Sequence, residues 1–164
     1  MSIQNRNVPN SHEITAVELT PANVHDCHVF SSLLSGQTNL KNIYADGAYS
    51  FKQNFDAIAD AGGIPFIPVC SGTGLVNKAP SSGERLRNQL VQDIWKVGGR
   101  VVWKKMSGYH RRSLVETHLS RLKTILGGAL NSRTLPNQKT EAILRANILN
   151  QMTWLGRPLS EKMI

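Results

Sequence analysis

The sequence predicts an α/β domain, a mixed sheet with flanking helices, on three observations. Short β-prone runs alternate with segments of helical periodicity along the whole chain. The 164 residues and 40% hydrophobic content suit one domain with a real core. The segment from Tyr109 to Leu126 holds a polar stripe and an apolar flank at helical spacing, so it can lie on a core and still face outward.

His12 to Thr20 (HEITAVELT) alternates apolar Ile14, Ala16 or Val17, and Leu19 with polar residues, the period of a half-buried strand, and Thr20-Pro21 closes it. Thr20 or Asn23 can cap a helix running to about Leu34, with Gly36 as its stop. Leu40 to Ala45 is a short β-prone run delivered into Asp46-Gly47. Phe51 to Ala61 reads as a helix ended by Gly62-Gly63. Ile64 to Val69 reads as a buried strand whose two prolines predict an edge or irregular position. Residues 71–88 are rich in Ser, Gly, Asn and charge and read as a surface loop. A basic approach containing Trp95 and Trp103 leads to the Tyr109 helix, and about Gln138 to Leu155 places Ala142, Ala146, Leu149 and Met152 at helical spacing. No internal repeat is present.

Charge is segregated. Residues 1–93 hold six basic and eight acidic side chains, a net −2, and residues 134–164 add +2. Residues 94–133 hold nine Lys or Arg against the single acid Glu116, so the whole excess of +8 sits in one block. Clustered positive charge is the footprint of a polyphosphate partner, because each neutralised phosphate releases counterions. An acidic membrane surface is a weaker competitor, since no run approaches the roughly 18–20 apolar residues of a span and no lipidation motif is present. Cys27 and Cys70 form no CxxC pair, which excludes a disulfide framework or a zinc finger. The polar start has no apolar signal core, and a cytoplasmic location is expected.

Two positions carry candidate chemistry. On an ideal helix Tyr109, Arg112, Glu116 and Lys123 fall within about 60° of arc, while Leu114, Val115, Leu119, Leu122, Ile125 and Leu126 gather on a neighbouring flank. Arg112 and Glu116, four apart, also suit an ordinary helix pair worth about 0.3–0.5 kcal/mol. One carboxylate kept in a basic field points further, to metal binding. The second position is Asp46 in Ala45-Asp46-Gly47-Ala48-Tyr49, at the carboxyl end of a strand, where open α/β sheets place ligands. Asp-Gly is also a plain turn dipeptide. Together, two carboxylates from different elements can hold Mg²⁺ or Mn²⁺ with substrate phosphate oxygens completing the shell.

The spacing Y-x2-R-x3-E-x6-K of Tyr109, Arg112, Glu116 and Lys123 resembles the signature around the last acidic residue of DDE-type bacterial insertion-sequence transposases. ADGAY resembles the segment with their second catalytic Asp, HEITAVELTPANVHD the preceding strand and helix, and LPNQKTEAILRANILNQMTWLG their closing helix. The resemblance covers roughly Ser11 to Pro158 and implies a ribonuclease-H-like catalytic domain that nicks and transfers DNA strands with divalent metal. It implies Asp46 and Glu116 as catalytic metal ligands, in a site that takes two Mg²⁺ or Mn²⁺ ions in intact members. Tyr109, Arg112 and Lys123, with Arg111 and Arg121 beside them, are implied as contacts to transposon-end DNA.

The family's first catalytic Asp lies on a strand two before HEITAVELT, and about eleven unrelated residues stand there in this sequence. Glu13, Glu18 and Asp26 do not match its position. The expected organisation is therefore a leader over 1–11, a partial ribonuclease-H-like domain lacking its first two strands over 12–158, and a tail over 159–164. Such a chain is expected to be catalytically incomplete alone. The alternative is a non-catalytic DNA-binding remnant that pairs with full-length transposase or with itself, nucleoid-associated when on DNA. Three other motifs fare worse. His25, Asp26, Cys27 and His28 lack partners for a zinc site. Ser71 to Lys78 lacks the phosphate-loop register. Tyr109 beside His110, Arg111 and Arg112 suits a tyrosine recombinase less economically than metal-assisted hydrolysis.

Overall fold

The computed structural model describes residues 13–21, 23–24, 26–37, 40–70 and 72–156. The expected leader 1–11 and tail 159–164, His12, His25, Ser71 and the side chains of Asp26 and Cys27 lie outside them. Among the described residues the chain is mixed α/β, with six α-helices and one two-stranded parallel sheet.

β1 (Asn42–Tyr44) and β2 (Ile64–Phe66) pair in parallel with Ile43 opposite Pro65 and Tyr44 opposite Phe66. A parallel pair needs a crossover, and α2 (Lys52–Asp60) supplies it. α1 (Phe30–Leu34), entered through a 3-10 turn over Asp26–Val29, is shorter than expected but stops where Gly36 predicts. Phe30 and Leu33 from α1, Ile43 from β1, Phe55 and Ile58 from α2 and Ile67 after β2 close one buried core, completed by Leu90, Val91 and Ile94.

That last trio belongs to α3 (Ser82–Lys96), which the loop expectation for 71–88 missed. Its polar start is a capping box: the Ser81 hydroxyl accepts from Glu84 N at 3.2 Å while the Glu84 carboxylate accepts from Ser81 N at 2.9 Å. Asp56 of α2 binds the same turn, accepting from Ser81 Oγ at 2.7 Å and Gly83 N at 3.2 Å, and Lys52 pairs with Glu84 at 3.1 Å. α4 (Arg100–Met106) follows, then Gly108 in the left-handed region (φ +70°) turns the chain into a 3-10 turn over Tyr109–Arg112.

α5 (Ser113–Leu126) and α6 (Leu135–Leu155) pack on each other. Their own buried cluster is small, Ile14 with Ala146 and Leu149. The expected strand from His12 to Thr20 is absent over its described residues. Residues 13–20 lie along α6 instead, antiparallel to it: Ile14 N donates to Asn150 Oδ1 and Asn150 Nδ2 donates to Ile14 O, both at 2.8 Å, and Glu18 pairs with Lys139 at 2.7 Å. Alternation fixes which side chains face the core, but a strand also needs a neighbouring backbone. One Asn amide supplies the donor and acceptor that a neighbour strand would otherwise give.

Candidate functional site

Asp46 follows β1 by two residues and caps the 3-10 turn Gly47–Tyr49, its Oδ1 accepting from Ala48 N at 2.9 Å. The turn reading of Asp-Gly therefore holds, and one carboxylate oxygen is committed to it. Gly47 is needed for closeness rather than for a special φ: a Cβ there would lie 3.1 Å from the Pro68 carbonyl oxygen, so a side chain would push the Asp46 turn off the segment after β2.

Tyr109, Arg112 and Glu116 do not sit on one continuous α-helix, because residues 109–112 wind as 3-10. In that geometry residues three apart eclipse. Arg112 accordingly stacks on its neighbour, its guanidinium carbon 5.8 Å from the Tyr109 ring centroid, and reaches forward to Glu116 Oε1 at 2.6 Å. The helix-pair reading of Arg112 and Glu116 is thus realised. Lys123 is exposed in the last turn of α5, Arg111 is exposed and Arg121 half-buried.

A row of rings connects the two acidic positions. Tyr44 of β1 stacks on Phe66 of β2 at 4.7 Å, Phe66 faces Trp103 of α4 at 6.3 Å, and Trp103 packs on Tyr109 at 6.0 Å. Tyr109 is buried and the 3-10 turn that carries it packs against β1. Burial pushes its phenol above the ordinary value. Asp46 and Glu116 push it further in the same direction, and Arg112 and Arg100 pull it back. The phenol therefore stays protonated at neutral pH and can donate.

Mg²⁺ and Mn²⁺ take hard oxygen donors, and Asp46 and Glu116 are of that kind. Among the described residues no group of three or more His, Cys, Asp or Glu comes together. Their oxygens are the donor type such an ion takes, and among the described residues no third acidic, His or Cys side chain forms a cluster with them. His28, from the weak zinc motif, is exposed.

The expected apolar flank of α5 is largely unburied: Leu119 and Ile125 are exposed, Leu114, Val115, Leu122 and Leu126 are half-buried, and His118 is the buried residue. Arg100, Trp103 and Lys104 escaped selection as site residues. Their spacing of three and four was the available signal, since it puts all three on one face of a short helix. Among the described residues no helix is long and apolar enough to cross a membrane.

A family profile described as the transposase DDE domain matches residues 8–151. No solved structure matches the chain.

Proposed function

Because this chain belongs to the transposase DDE-domain family, we propose that it carries part of a metal-dependent DNA strand-transfer site in which Asp46 and Glu116 are the acidic ligands. The observation that carries this reading is that the Tyr109 turn packs against β1, which leads into Asp46, while Arg112 lies over the Tyr109 ring and binds Glu116, all beside a basic block. Residues 12–158 form a partial ribonuclease-H-like domain in this reading. A divalent ion bound there would polarise the phosphoryl oxygens of DNA and activate the attacking oxygen. Asp46 Oδ2, left over because Oδ1 holds the turn, and the Glu116 carboxylate would hold it. Arg112, now paired with Glu116, would bind a phosphate once that carboxylate is engaged. The neutral Tyr109 hydroxyl donates to a non-bridging or bridging oxygen, and Lys123, Arg111 and Arg121 track the backbone of the transposon end. Such work on DNA belongs in a bacterial cytoplasm, at the nucleoid.

Two carboxylates are too few to hold two ions near a phosphate, so the chain alone should not nick DNA. The test is incubation with Mg²⁺ or Mn²⁺ and DNA bearing matching ends. Nicking that disappears in the Asp46→Ala, Glu116→Ala double variant would show that the chain itself completes the site. DNA binding is tested separately, by titration with an unrelated duplex at two salt concentrations. Affinity that falls steeply with salt is expected, and affinity that is absent at low salt or flat with salt rejects the reading.

A second reading, a non-catalytic partner of a longer transposase chain or of a second copy, is favoured by the apolar face of α6. Ile143, Leu144, Ile148, Met152, Trp154 and Leu155 are all exposed along it. It is distinguished by stable co-purification with full-length transposase in the absence of DNA.

A further inference from the structure

We infer that α4 is a second DNA-contacting element, in which Arg100 and Lys104 meet a backbone phosphate beside Tyr109. The inference rests on the DNA-binding reading above and extends it to residues outside the four-residue signature.

Trp103 faces inward from α4 and is buried against Tyr109, which fixes the rotation of this short helix. With that face turned in, Lys104 comes over the Tyr109 ring, its Nζ 5.1 Å from the centroid. Arg100, four residues earlier on the same side, is exposed. Arg112 approaches the same ring from the 3-10 turn. Two cations from two elements thus flank the ring of one buried tyrosine, and Arg100 extends that basic side one turn along α4.

Arg112 is neutralised by Glu116. Lys52, Lys96, Lys139 and Arg145 also pair with carboxylates. Among the described residues no carboxylate pairs with Arg100 or Lys104. A cation held in place by an aromatic ring and left without an anion is preorganised for one, and a phosphodiester supplies the charge and acceptor oxygens that Lys and Arg bind. The neighbouring Lys105 points round the helix from Lys104 and lacks the ring contact.

The test measures affinity of the full chain for an unrelated DNA duplex as a function of salt. Arg100→Gln and Lys104→Gln are each expected to reduce the slope of log affinity against log salt by about 0.9, the value for one duplex phosphate. Lys104→Arg keeps the charge and should keep the slope. Lys78→Gln, exposed in the loop before α3, should leave the slope unchanged. Near-UV circular dichroism, which reports the Trp103–Tyr109 packing, should match wild type in every variant compared. If Arg112→Gln lowers the slope and Arg100→Gln and Lys104→Gln both leave it at the wild-type value, α4 is not a contact and the inference falls while DNA binding stands. If the wild-type chain does not bind duplex at low salt, both fall together.

Discussion

The half of the molecule built around β1, β2, α2 and α3 and the half built from α5 and α6 hold their residues in different ways. In the first, Phe30, Phe55, Ile58 and Ile67 are completely buried and the starts of α2 and α3 are tied through Asp56 and Glu84. In the second, Leu149 is fully buried, yet Trp154 and Leu155 are 75% and 83% exposed and α5 buries one histidine. Asp46 stands on the well-packed half and Glu116 on the lightly packed one. In the proposed site their meeting would depend on what spans the gap, the row Tyr44–Phe66–Trp103–Tyr109 and the Arg112–Glu116 pair. The proposed site, divided this way, would keep one ligand rigid and let the other adjust when DNA covers the exposed helices.

The largest effect that can break this comparison is a cavity in each half. Phe55→Ala should cost about 3–5 kcal/mol, and Leu149→Ala about 2 kcal/mol, the low end for a buried aliphatic, because a thin cluster collapses more readily around a void. Urea unfolding of the two variants measures the difference, and equal losses would mean that the halves are equally well packed. Backbone closeness gives a second contrast. A Cβ on Gly83 would collide with the Asp56 backbone nitrogen and carboxylate, whereas one on Gly128 meets nothing within 4 Å. Gly83→Ala should lose about 1–3 kcal/mol by overpacking, and Gly128→Ala should be close to neutral in the same assay.

Acid sharpens the comparison at the loop joining α5 to α6. Asn131 N and Ser132 N donate to the Glu141 carboxylate, and Arg145 pairs with it at 2.7 Å and donates to the carbonyls of Gly127 and Ala129. The two backbone donors, with help from Arg145, lower the Glu141 carboxyl from 4.5 to about 2. Since its folded value lies below the unfolded one, the stabilisation is full above pH 4.5 and is lost as pH falls towards 2. The protection of the Asn131 and Ser132 amides from exchange, relative to their intrinsic rates, should fall across that window before that of the α2 amides does. In Glu141→Gln that protection should be low at every pH. The smallest expected shift is at Tyr109, whose raised phenol should move down in Asp46→Asn and again in Glu116→Gln, by NMR titration of the ring carbon. Wild-type stability attributable to this group is full below pH 10 and declines above it, as the unfolded chain ionises first.

Much of the first half was legible because its signals are local. LKNIYA and IPFIPV are short apolar runs bounded by turn residues, and Gly62-Gly63 stops α2 where expected. α3 was hidden because Ser81, Ser82 and Gly83 have loop composition while performing a cap and a close approach, which only Glu84 three residues on betrays. Residues 13–20 alternate like a strand, but pairing is a property of the neighbour. In the candidate site, the spacing identified the Tyr109–Glu116 group. It could not show that the first turn tightens to 3-10, that Arg112 is shared between a ring and a carboxylate, or that Lys104 of α4 comes over the same ring.

The most direct measurement of whether Asp46 and Glu116 make one site is a double-mutant cycle on Mn²⁺ affinity in the full chain bound to duplex DNA, using Asp46→Asn, Glu116→Gln and the pair. If both carboxylates hold the same ion, either single change should remove most of the binding and the double variant should lose little more. Losses that add, or Mn²⁺ binding indifferent to both changes, would contradict a shared metal site.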